Sequence, residues 1–138
     1  MKKVLVTGAS GFIGSTLIDR LLSLGNYEVY AGVRAKSSRK YLQDSRIKFI
    51  DLALSDPTSL KQQLDREQFD CIFHFAGLTK AKRPEDFDKV NFGLTKNLAD
   101  AINPQMTKLI FLSSFAAHGP AEEVNFSKAK VSDENKPN

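Results

Sequence analysis

Three glycines, at positions 8, 11 and 14, follow a short apolar segment and precede a stretch in which apolar residues have helical spacing. A glycine at the end of a strand lets the chain turn sharply, because it adopts backbone angles that are closed to other residues. A second glycine lets a ligand approach the backbone, and a third lets the helix pack against the sheet. The N–H groups at the start of the helix then face an anion. The pattern predicts an anion-binding strand–turn–helix unit, although its first gap is one residue longer than in Gly-x-Gly-x-x-Gly. The candidate binding residues are Gly8, Ser10, Gly11, Phe12, Ile13 and Gly14.

Strand and helix patterns alternate along the rest of the chain. Apolar segments predict strands at residues 3–7, 28–33, 46–50, 71–75 and 108–112, and helical periodicity predicts helices at residues 12–24, 57–64 and 84–102. Strands joined by helices form parallel sheets through right-handed crossovers, so we expect a doubly wound, three-layer α/β/α domain. The expected strand order is 3-2-1-4-5, with a ligand crevice between the first and fourth strands.

Length and composition limit the class of protein. The 138 residues provide one domain, which we place at residues 1–118, and the polar residues 119–138 predict a poorly ordered tail. No apolar stretch approaches the roughly 20 residues that span a bilayer, so we expect no membrane association. Cys71 is the single cysteine, which excludes an internal disulfide and fits a cytoplasmic location. No cluster of residues predicts a metal site.

The net charge of +4 is weakly basic, and six basic residues fall between positions 34 and 48. They are Arg34, Lys36, Arg39, Lys40, Arg46 and Lys48. No aromatic stacking platform accompanies them, so nucleic-acid binding is not expected. Such a run is either a solvated surface or, given its place after the second predicted strand, part of the ligand site.

Residues 6–14 read Val-Thr-Gly-Ala-Ser-Gly-Phe-Ile-Gly and closely resemble the cofactor motif of the extended short-chain dehydrogenase/reductases. This family includes NAD-dependent epimerases and dehydratases and dihydroflavonol-reductase-like enzymes. Further segments match it in the same order up to residue 137. The resemblance implies a Rossmann fold, of which this chain has the part before the later strands. It also implies an adenine contact for Asp51 and Leu52, packing along the cofactor for Phe75, Ala76 and Gly77, support of the sheet and site for Asn91, and substrate orientation for Ser114.

The same resemblance implies hydride transfer between a nicotinamide and a carbon that bears a hydroxyl or carbonyl group. In the family, a tyrosine acts as general acid/base, assisted by a lysine four residues later. The tyrosines at positions 27, 30 and 41 are followed four residues later by alanine, arginine and serine. We therefore expect a truncated product: the cofactor-binding portion of an oxidoreductase or epimerase/dehydratase for a small-molecule substrate, inactive on its own. The alternative is a non-catalytic module that senses NADP(H), but such a sensor needs no substrate-orienting hydroxyl like that of Ser114.

The end of the second strand bears on the choice of cofactor. In NAD-selective relatives an acidic residue at this point binds the ribose 2′-hydroxyl. Val33 occupies that position here, and no Asp or Glu occurs from residue 29 to residue 43. The guanidinium of Arg34 can bind a 2′-phosphate through two hydrogen bonds. We expect NADP to be favoured over NAD; the alternative is that Arg34 points to solvent.

Two further expectations concern packing. His74 lies within a strand, and its backbone and neighbours are expected to matter more than its ring, while Cys71 is expected to be a small buried hydrophobe. A shortened sheet leaves strand edges and helix faces uncovered. Modest stability or self-association, for example as a homodimer, is therefore expected.

Overall fold

The computed structural model of the chain describes residues 1–76 and 88–112, apart from the side chains of residues 88–90. The strands are β1 (Lys2–Thr7), β2 (Tyr27–Gly32), β3 (Lys48–Ile50), β4 (Cys71–His74) and β5 (Lys108–Phe111). The helices are α1 (Phe12–Leu24), α2 (Pro57–Glu67) and α3 (Leu94–Ala101), and a π-helical turn, Asp88–Gly93, leads directly into α3. None of these helices combines the length and apolar character needed to cross a membrane.

The five described strands form one parallel sheet in the order β3-β2-β1-β4-β5. β1 lies at its centre and pairs with β2 on one side and with β4 on the other. The predicted Rossmann topology is therefore confirmed. The chain leaves β1 towards β2 and later returns to the far side of β1 as β4, so a crevice forms between the carboxyl ends of β1 and β4.

Local capping signals explain where α1 and α2 begin and end. Gly25 ends α1 in the left-handed conformation, with φ of 77°, and donates its N–H to the Leu22 carbonyl. Asp56 caps α2 by accepting the Ser59 N–H at 3.4 Å, and Pro57 occupies the first turn. These predicted boundaries are confirmed, except that α2 continues to Glu67, beyond the expected end at residue 64.

Some predicted boundaries were wrong. β3 begins at residue 48 rather than 46, because Arg46 and Ile47 donate their N–H groups to the side chain and carbonyl of Asp44 in a tight turn. The helix expected at residues 84–102 is not one continuous α-helix in its described part, where the π-helical turn precedes α3. Residues 113–138, which include the expected tail at 119–138, lie outside the described residues.

The core has two apolar layers, one on each face of the sheet. Val4 and Val6 of β1 face α1, whereas Leu5, between them, faces α2 and α3. All three side chains are fully buried. A central strand with helices on both faces needs apolar residues at every position, which accounts for the unbroken apolar start of the chain.

Leu22 and Leu24 provide a test of the apolar layer between α1 and the sheet. They lie two positions apart on α1, with 4% and 50% exposure. Leu22→Ala leaves a cavity between α1 and the sheet and should lower the free energy of unfolding by about 2–5 kcal/mol. Leu24→Ala should lower it by less than about 1 kcal/mol. Urea denaturation of both variants measures the difference, and equal losses would contradict this packing.

Candidate functional site

A cleft of about 370 Å³ lies at the carboxyl end of the sheet, where the loops that follow β1 to β4 converge. This is the crevice expected from the strand order. A second cleft, of about 210 Å³, lies at the opposite end, between the last turns of α2 and α3. The carboxyl-end cleft is lined by Thr7, Gly8, Ser10, Gly11, Gly32, Val33, Arg34, Ser37, Asp51, Leu52, Leu54, Phe75, Ala76 and Leu94.

The turn between β1 and α1 is packed too tightly for a side chain at two of its three glycines. Gly8 has φ of 66°, and a Cβ there would lie 2.7 Å from the backbone of Phe75 and Ala76. A Cβ at Gly14 would overlap the Gly8 carbonyl oxygen and lie 2.9 Å from the Ala9 Cα. Gly8 therefore lets the turn lie against the loop after β4, and Gly14 lets α1 start against the turn.

Gly11 differs from the other two glycines because it faces open space. A Cβ there would have one near neighbour, the Gly8 oxygen at 3.4 Å, which is an ordinary van der Waals distance. The N–H of Gly11 is donated to that oxygen, so this N–H belongs to the turn and is not one of the predicted anion donors. The first N–H groups of a helix have no intrahelical acceptor, which leaves those at residues 12–14 as donors.

The side chains of Phe12 and Ile13 project into solvent, with 83% and 52% exposure. Because both side chains project outward, the predicted role of these two residues in binding falls to their backbone. Among the described residues, the start of α1 has no acidic side chain in its first turn, so the positive end of the helix dipole is not neutralised there. The arrangement suits a bound anion.

The loop after β2 forms another wall of the cleft. Val33 is 7% exposed, packs in the core on the α1 side and donates its N–H to the Ile50 carbonyl. Arg34 is exposed and lines the cleft, and its carbonyl accepts the Ser37 N–H at 2.9 Å. The position where an NAD-selective site is expected to have an acidic residue is thus held by a core valine, next to the exposed guanidinium of Arg34.

The basic residues after β2 have different surroundings. Arg46 pairs with Asp44 at 2.8 Å, and this hydrogen bond lowers the pKa of the Asp44 carboxyl to about 2. Lys48 pairs with Glu28 at 2.6 Å, and Arg39 stacks over the Phe49 ring at 4.0 Å. Among the described residues Arg34 is in no ion pair, so its charge is available to the cleft.

Asp51 and Leu52, predicted as adenine contacts, lie in the loop after β3 and line the cleft. Asp51 accepts the Ala35 N–H at 3.3 Å, which joins the loops that follow β2 and β3. Gln63 of α2 holds the same loop from behind, since its amide donates to the Asp51 carbonyl and its side-chain oxygen accepts the Ala53 N–H. This role of Gln63 was not predicted.

The ring of His74 has hydrogen-bond partners on two neighbouring elements. Its ring is 1% exposed and makes two hydrogen bonds, to the Thr7 hydroxyl at 2.7 Å and to the Thr95 hydroxyl at 2.9 Å. Thr95 also donates to the Asn91 carbonyl at 2.7 Å. Burial lowers the pKa of His74. The ring therefore ties β1 and β4 to α3, and these contacts of the ring were not predicted.

The structure brings most of the predicted residues together. Gly8, Ser10, Gly11, Arg34, Asp51, Leu52, Phe75 and Ala76 line one cleft, and Phe12, Ile13 and Gly14 follow them directly as the first turn of α1. Asn91 lies on the π-helical turn, three residues before the lining residue Leu94. Gly77 and Ser114 lie outside the described residues.

Sequence reasoning missed several residues of the cleft and its support, namely Gly32, Leu54, Leu94 and Thr95. Gly32 ends β2, and a Cβ there would lie 3.3 Å from the Thr7 Cα, so its glycine character was the available signal. Thr95 follows Asn91 by four residues, a spacing that places the two side by side on a helix. Leu54 and Leu94 have no local signal that separates them from core residues.

A model of the NAD-dependent epimerase/dehydratase family matches residues 4–138 of the chain. UDP-glucose 4-epimerase of Mus musculus is 27% identical over 94% of this chain and 42% of its own length. Among solved structures, the UDP-Glc/GlcNAc 4-epimerase of Campylobacter jejuni aligns with a TM-score of 0.79 at 27% identity, over 95% of this chain and 43% of that one. UDP-glucuronic acid 4-epimerase of Bacillus cereus, solved in complex with NAD, aligns with a TM-score of 0.70 at 28% identity, over 86% and 42% of the two chains.

These matches define how far the similarity extends. The chain spans about 42% of the length of the mouse epimerase. The similarity therefore covers the sheet, the glycine turn and the cleft described above, and it extends over less than half of each relative.

Gly14 and Gly11 provide a matched test of the turn. Gly14→Ala places a methyl group against the Gly8 carbonyl and should lower the free energy of unfolding by about 1–3 kcal/mol, as overpacking does elsewhere. Gly11→Ala meets one atom at ordinary distance and should cost less than about 1 kcal/mol. Thermal and urea denaturation measure both values, and a larger loss for Gly11→Ala would contradict the described packing.

Proposed function

Because the chain belongs to the NAD-dependent epimerase/dehydratase family, we propose that it is the cofactor-binding portion of an oxidoreductase or epimerase/dehydratase and that NADP(H) is its preferred cofactor. The observation that carries this proposal is the turn after β1. There, Gly8 and Gly14 leave no room for a Cβ, Ser10 and Gly11 line the cleft directly before α1, and the N–H groups of the first turn of α1 have no intrahelical acceptor. This combination suits the diphosphate of a dinucleotide.

The lining residues fit the remaining parts of a dinucleotide. The N–H groups of residues 12–14, with Ser10 and Gly11 beside them, are proposed to hold the diphosphate, and Arg34, Asp51 and Leu52 are proposed to hold the adenosine half. Phe75 and Ala76, which follow β4 at the centre of the cleft, are proposed to pack along the cofactor together with Gly77, and Asn91 to support this side of the site. When bound, the nicotinamide supplies the chemistry, which is reversible hydride transfer.

The preference for NADP rests on charge. A carboxylate at the end of β2 would repel a 2′-phosphate, whereas Val33 is neutral and buried. The neighbouring Arg34 is exposed, lines the cleft and forms no ion pair among the described residues. Hydrogen bonds to charged groups contribute roughly 1.5–3 kcal/mol, so one Arg34 contact favours NADP by roughly ten- to a hundredfold. NAD is the cofactor named for the Bacillus cereus relative. A titration of this chain with both cofactors tests its own preference.

Catalysis is proposed to need residues beyond the cofactor cleft. Ser114 is the proposed substrate-orienting hydroxyl, for a small-molecule substrate that bears a hydroxyl or carbonyl carbon. No Tyr-x-x-x-Lys pair occurs in the 138 residues, so the family's general acid/base is not supplied by this sequence. We propose that the chain binds its cofactor without performing hydride transfer by itself.

The affinity prediction compares two cofactors and two arginines. The chain should bind NADPH roughly ten- to a hundredfold more tightly than NADH, and Arg34→Gln should remove most of that ratio by weakening NADPH binding alone. Arg20→Gln, which changes an exposed arginine of α1 outside the cleft, should leave both affinities unchanged. Nucleotide fluorescence titration at fixed ionic strength measures the Kd values.

Two outcomes of this titration separate the parts of the proposal. Equal or reversed affinities of the wild-type chain for NADPH and NADH would reject the NADP assignment but not the site. Gly11→Glu places a carboxylate where the diphosphate is proposed to lie, and it should abolish binding of both cofactors. Unchanged binding by Gly11→Glu would show that the dinucleotide binds elsewhere.

The turnover prediction concerns the chain as it stands. With saturating NADPH and a panel of small carbonyl compounds, the 138-residue chain should show no oxidation of NADPH above the rate without protein. The decrease in absorbance of NADPH measures this rate. Robust turnover that is lost in Gly11→Glu would show that another residue acts as the general acid/base.

A further inference from the structure

His74 is a buried titratable group that the proposed function does not use. It lies at the last position of β4, where its ring reaches Thr7 of β1 on one side and Thr95 of α3 on the other. The two described backbone N–H groups that follow it, those of Phe75 and Ala76, both donate to the Thr7 hydroxyl, at 3.1 and 3.2 Å. One side chain of β1 thus connects the ring to the start of the loop after β4.

Counting donors and acceptors determines how the proton on the ring is placed. A threonine hydroxyl has two lone pairs and one hydrogen. The Thr7 hydroxyl accepts the Ala76 N–H and shares the Phe75 N–H with the Thr7 carbonyl, and the hydrogen of Thr95 is used on the Asn91 carbonyl, so Nε2 donates to Thr95 and the hydrogen of Thr7 is donated to Nδ1 of His74. The Nδ1 atom is then an acceptor, and the proton of the neutral ring lies on Nε2, from which it is donated to Thr95.

Thr95 completes the chain of hydrogen bonds. Its hydroxyl accepts from Nε2 of His74 and donates to the Asn91 carbonyl at 2.7 Å, on the π-helical turn. Every bond therefore has one donor and one acceptor only when His74 is neutral. A protonated ring carries a hydrogen on both nitrogens, so Nδ1 and the Thr7 hydroxyl would face each other as two donors.

The residues joined by these hydrogen bonds lie at the proposed cofactor cleft. Thr7, Phe75 and Ala76 line it, and Leu94, the neighbour of Thr95, lines it from the other side. The Gly8 turn lies against the same backbone, since a Cβ at Gly8 would come within 2.7 Å of Phe75 and Ala76. If the Thr7 side chain shifts, the Phe75 and Ala76 N–H groups lose its hydroxyl as an acceptor. The backbone that packs against the Gly8 turn is then held less firmly.

We propose that His74 is a positioning residue of the dinucleotide cleft: it holds the turn and the backbone of Phe75 and Ala76 in their binding arrangement only while the ring is neutral. The inference rests on the proposed function, since it concerns affinity for the same cofactor. Protonation of the ring breaks the bond to Thr7 and weakens cofactor binding.

No charged group among the described residues opposes or supports this titration. The ring is faced by Thr7 from β1, by the Phe111 ring from β5 at 6.0 Å and by Thr95 next to the Asn91 carbonyl. The charged residues of α3, Lys96 and Asp100, are exposed and pair with each other. Burial of the ring lowers the pKa of His74 below its ordinary value of 6.5.

The sign of the pH dependence follows from linkage. Because the folded-state pKa of His74 is lowered, the unfolded chain binds its proton more readily. The stability from the neutral ring is present above the unfolded pKa and is lost as pH falls through the folded pKa. If the cofactor binds only the neutral form, binding lowers this pKa further, and affinity falls with pH in the same direction.

The experiment uses NMR of the full 138-residue chain, in which His74 and His118 are the two histidines. Side-chain nitrogen and proton shifts are followed from about pH 8 to about pH 5, with and without saturating NADP⁺, and His118→Gln assigns the signals. We expect His74 to be the Nε2–H tautomer when neutral, and its pKa to be lower in the presence of NADP⁺. An Nδ1–H tautomer, or a titration that NADP⁺ does not change, would overturn the inference.

Affinity measurements provide the second arm. The Kd for NADP⁺ should rise about tenfold between about pH 8 and about pH 5, relative to His74→Asn measured at the same pH. Asparagine can accept from Thr7 near the position of Nδ1 but does not titrate, and taking the ratio removes the titration of the ligand's own 2′-phosphate. His74→Ala, with neither contact, should bind about tenfold more weakly than His74→Asn at the higher pH.

The outcomes distinguish this inference from the proposed function. A wild-type chain that is folded by circular dichroism but binds neither NADP⁺ nor NAD⁺ at about pH 8 contradicts the proposed function. A wild-type chain that binds NADP⁺ with the same pH dependence as His74→Asn contradicts the positioning role of His74. If the variants do not fold, the change in the His74 pKa on NADP⁺ binding decides the question in the wild-type chain alone.

Discussion

The close approach of the turn after β1 to the backbone after β4 is the constraint on which the rest of the structure depends. At Gly8 the two backbones come so close that a Cβ would lie 2.7 Å from Phe75 and Ala76. Gly8, Phe75 and Ala76 all line the crevice, and α1 begins at Phe12, directly after the turn. The contact is a packing requirement, and the same turn leaves helix N–H groups without intrahelical acceptors, which is why we propose an anion site there.

Two sets of contacts hold this turn in place, one apolar and one polar. The apolar set buries β1 on both faces, with Val4 and Val6 against α1 and Leu5 against α2 and α3. The polar set consists of the hydrogen bonds of Thr7, His74 and Thr95, which connect β1, β4 and α3. The apolar contacts hold β1 between the helices on the two faces of the sheet. The hydrogen bonds hold the carboxyl ends of β1 and β4, where the cleft opens. The proposed cofactor site thus rests on both parts.

The features that could be predicted from the sequence are those whose residues lie close together along the chain. The strand order and the glycine turn follow from local patterns, since apolar segments, caps and glycine spacing each concern neighbouring residues. The contact between His74 and Thr7 joins residues that are 67 positions apart, and no local pattern indicates that the ring points to a hydroxyl. The support that Gln63 gives to the loop after β3 likewise depends on how α2 packs, and the late start of β3 depends on the turn made by Asp44 and Arg46.

A crystal structure of the chain grown with saturating NADP⁺ tests the central claim most directly. The account predicts a diphosphate within hydrogen-bond distance of the backbone N–H groups of residues 12–14, with the 2′-phosphate at the Arg34 guanidinium. A dinucleotide bound away from the turn, or a turn blocked by a neighbouring part of the chain while NADP⁺ is bound elsewhere, would contradict it.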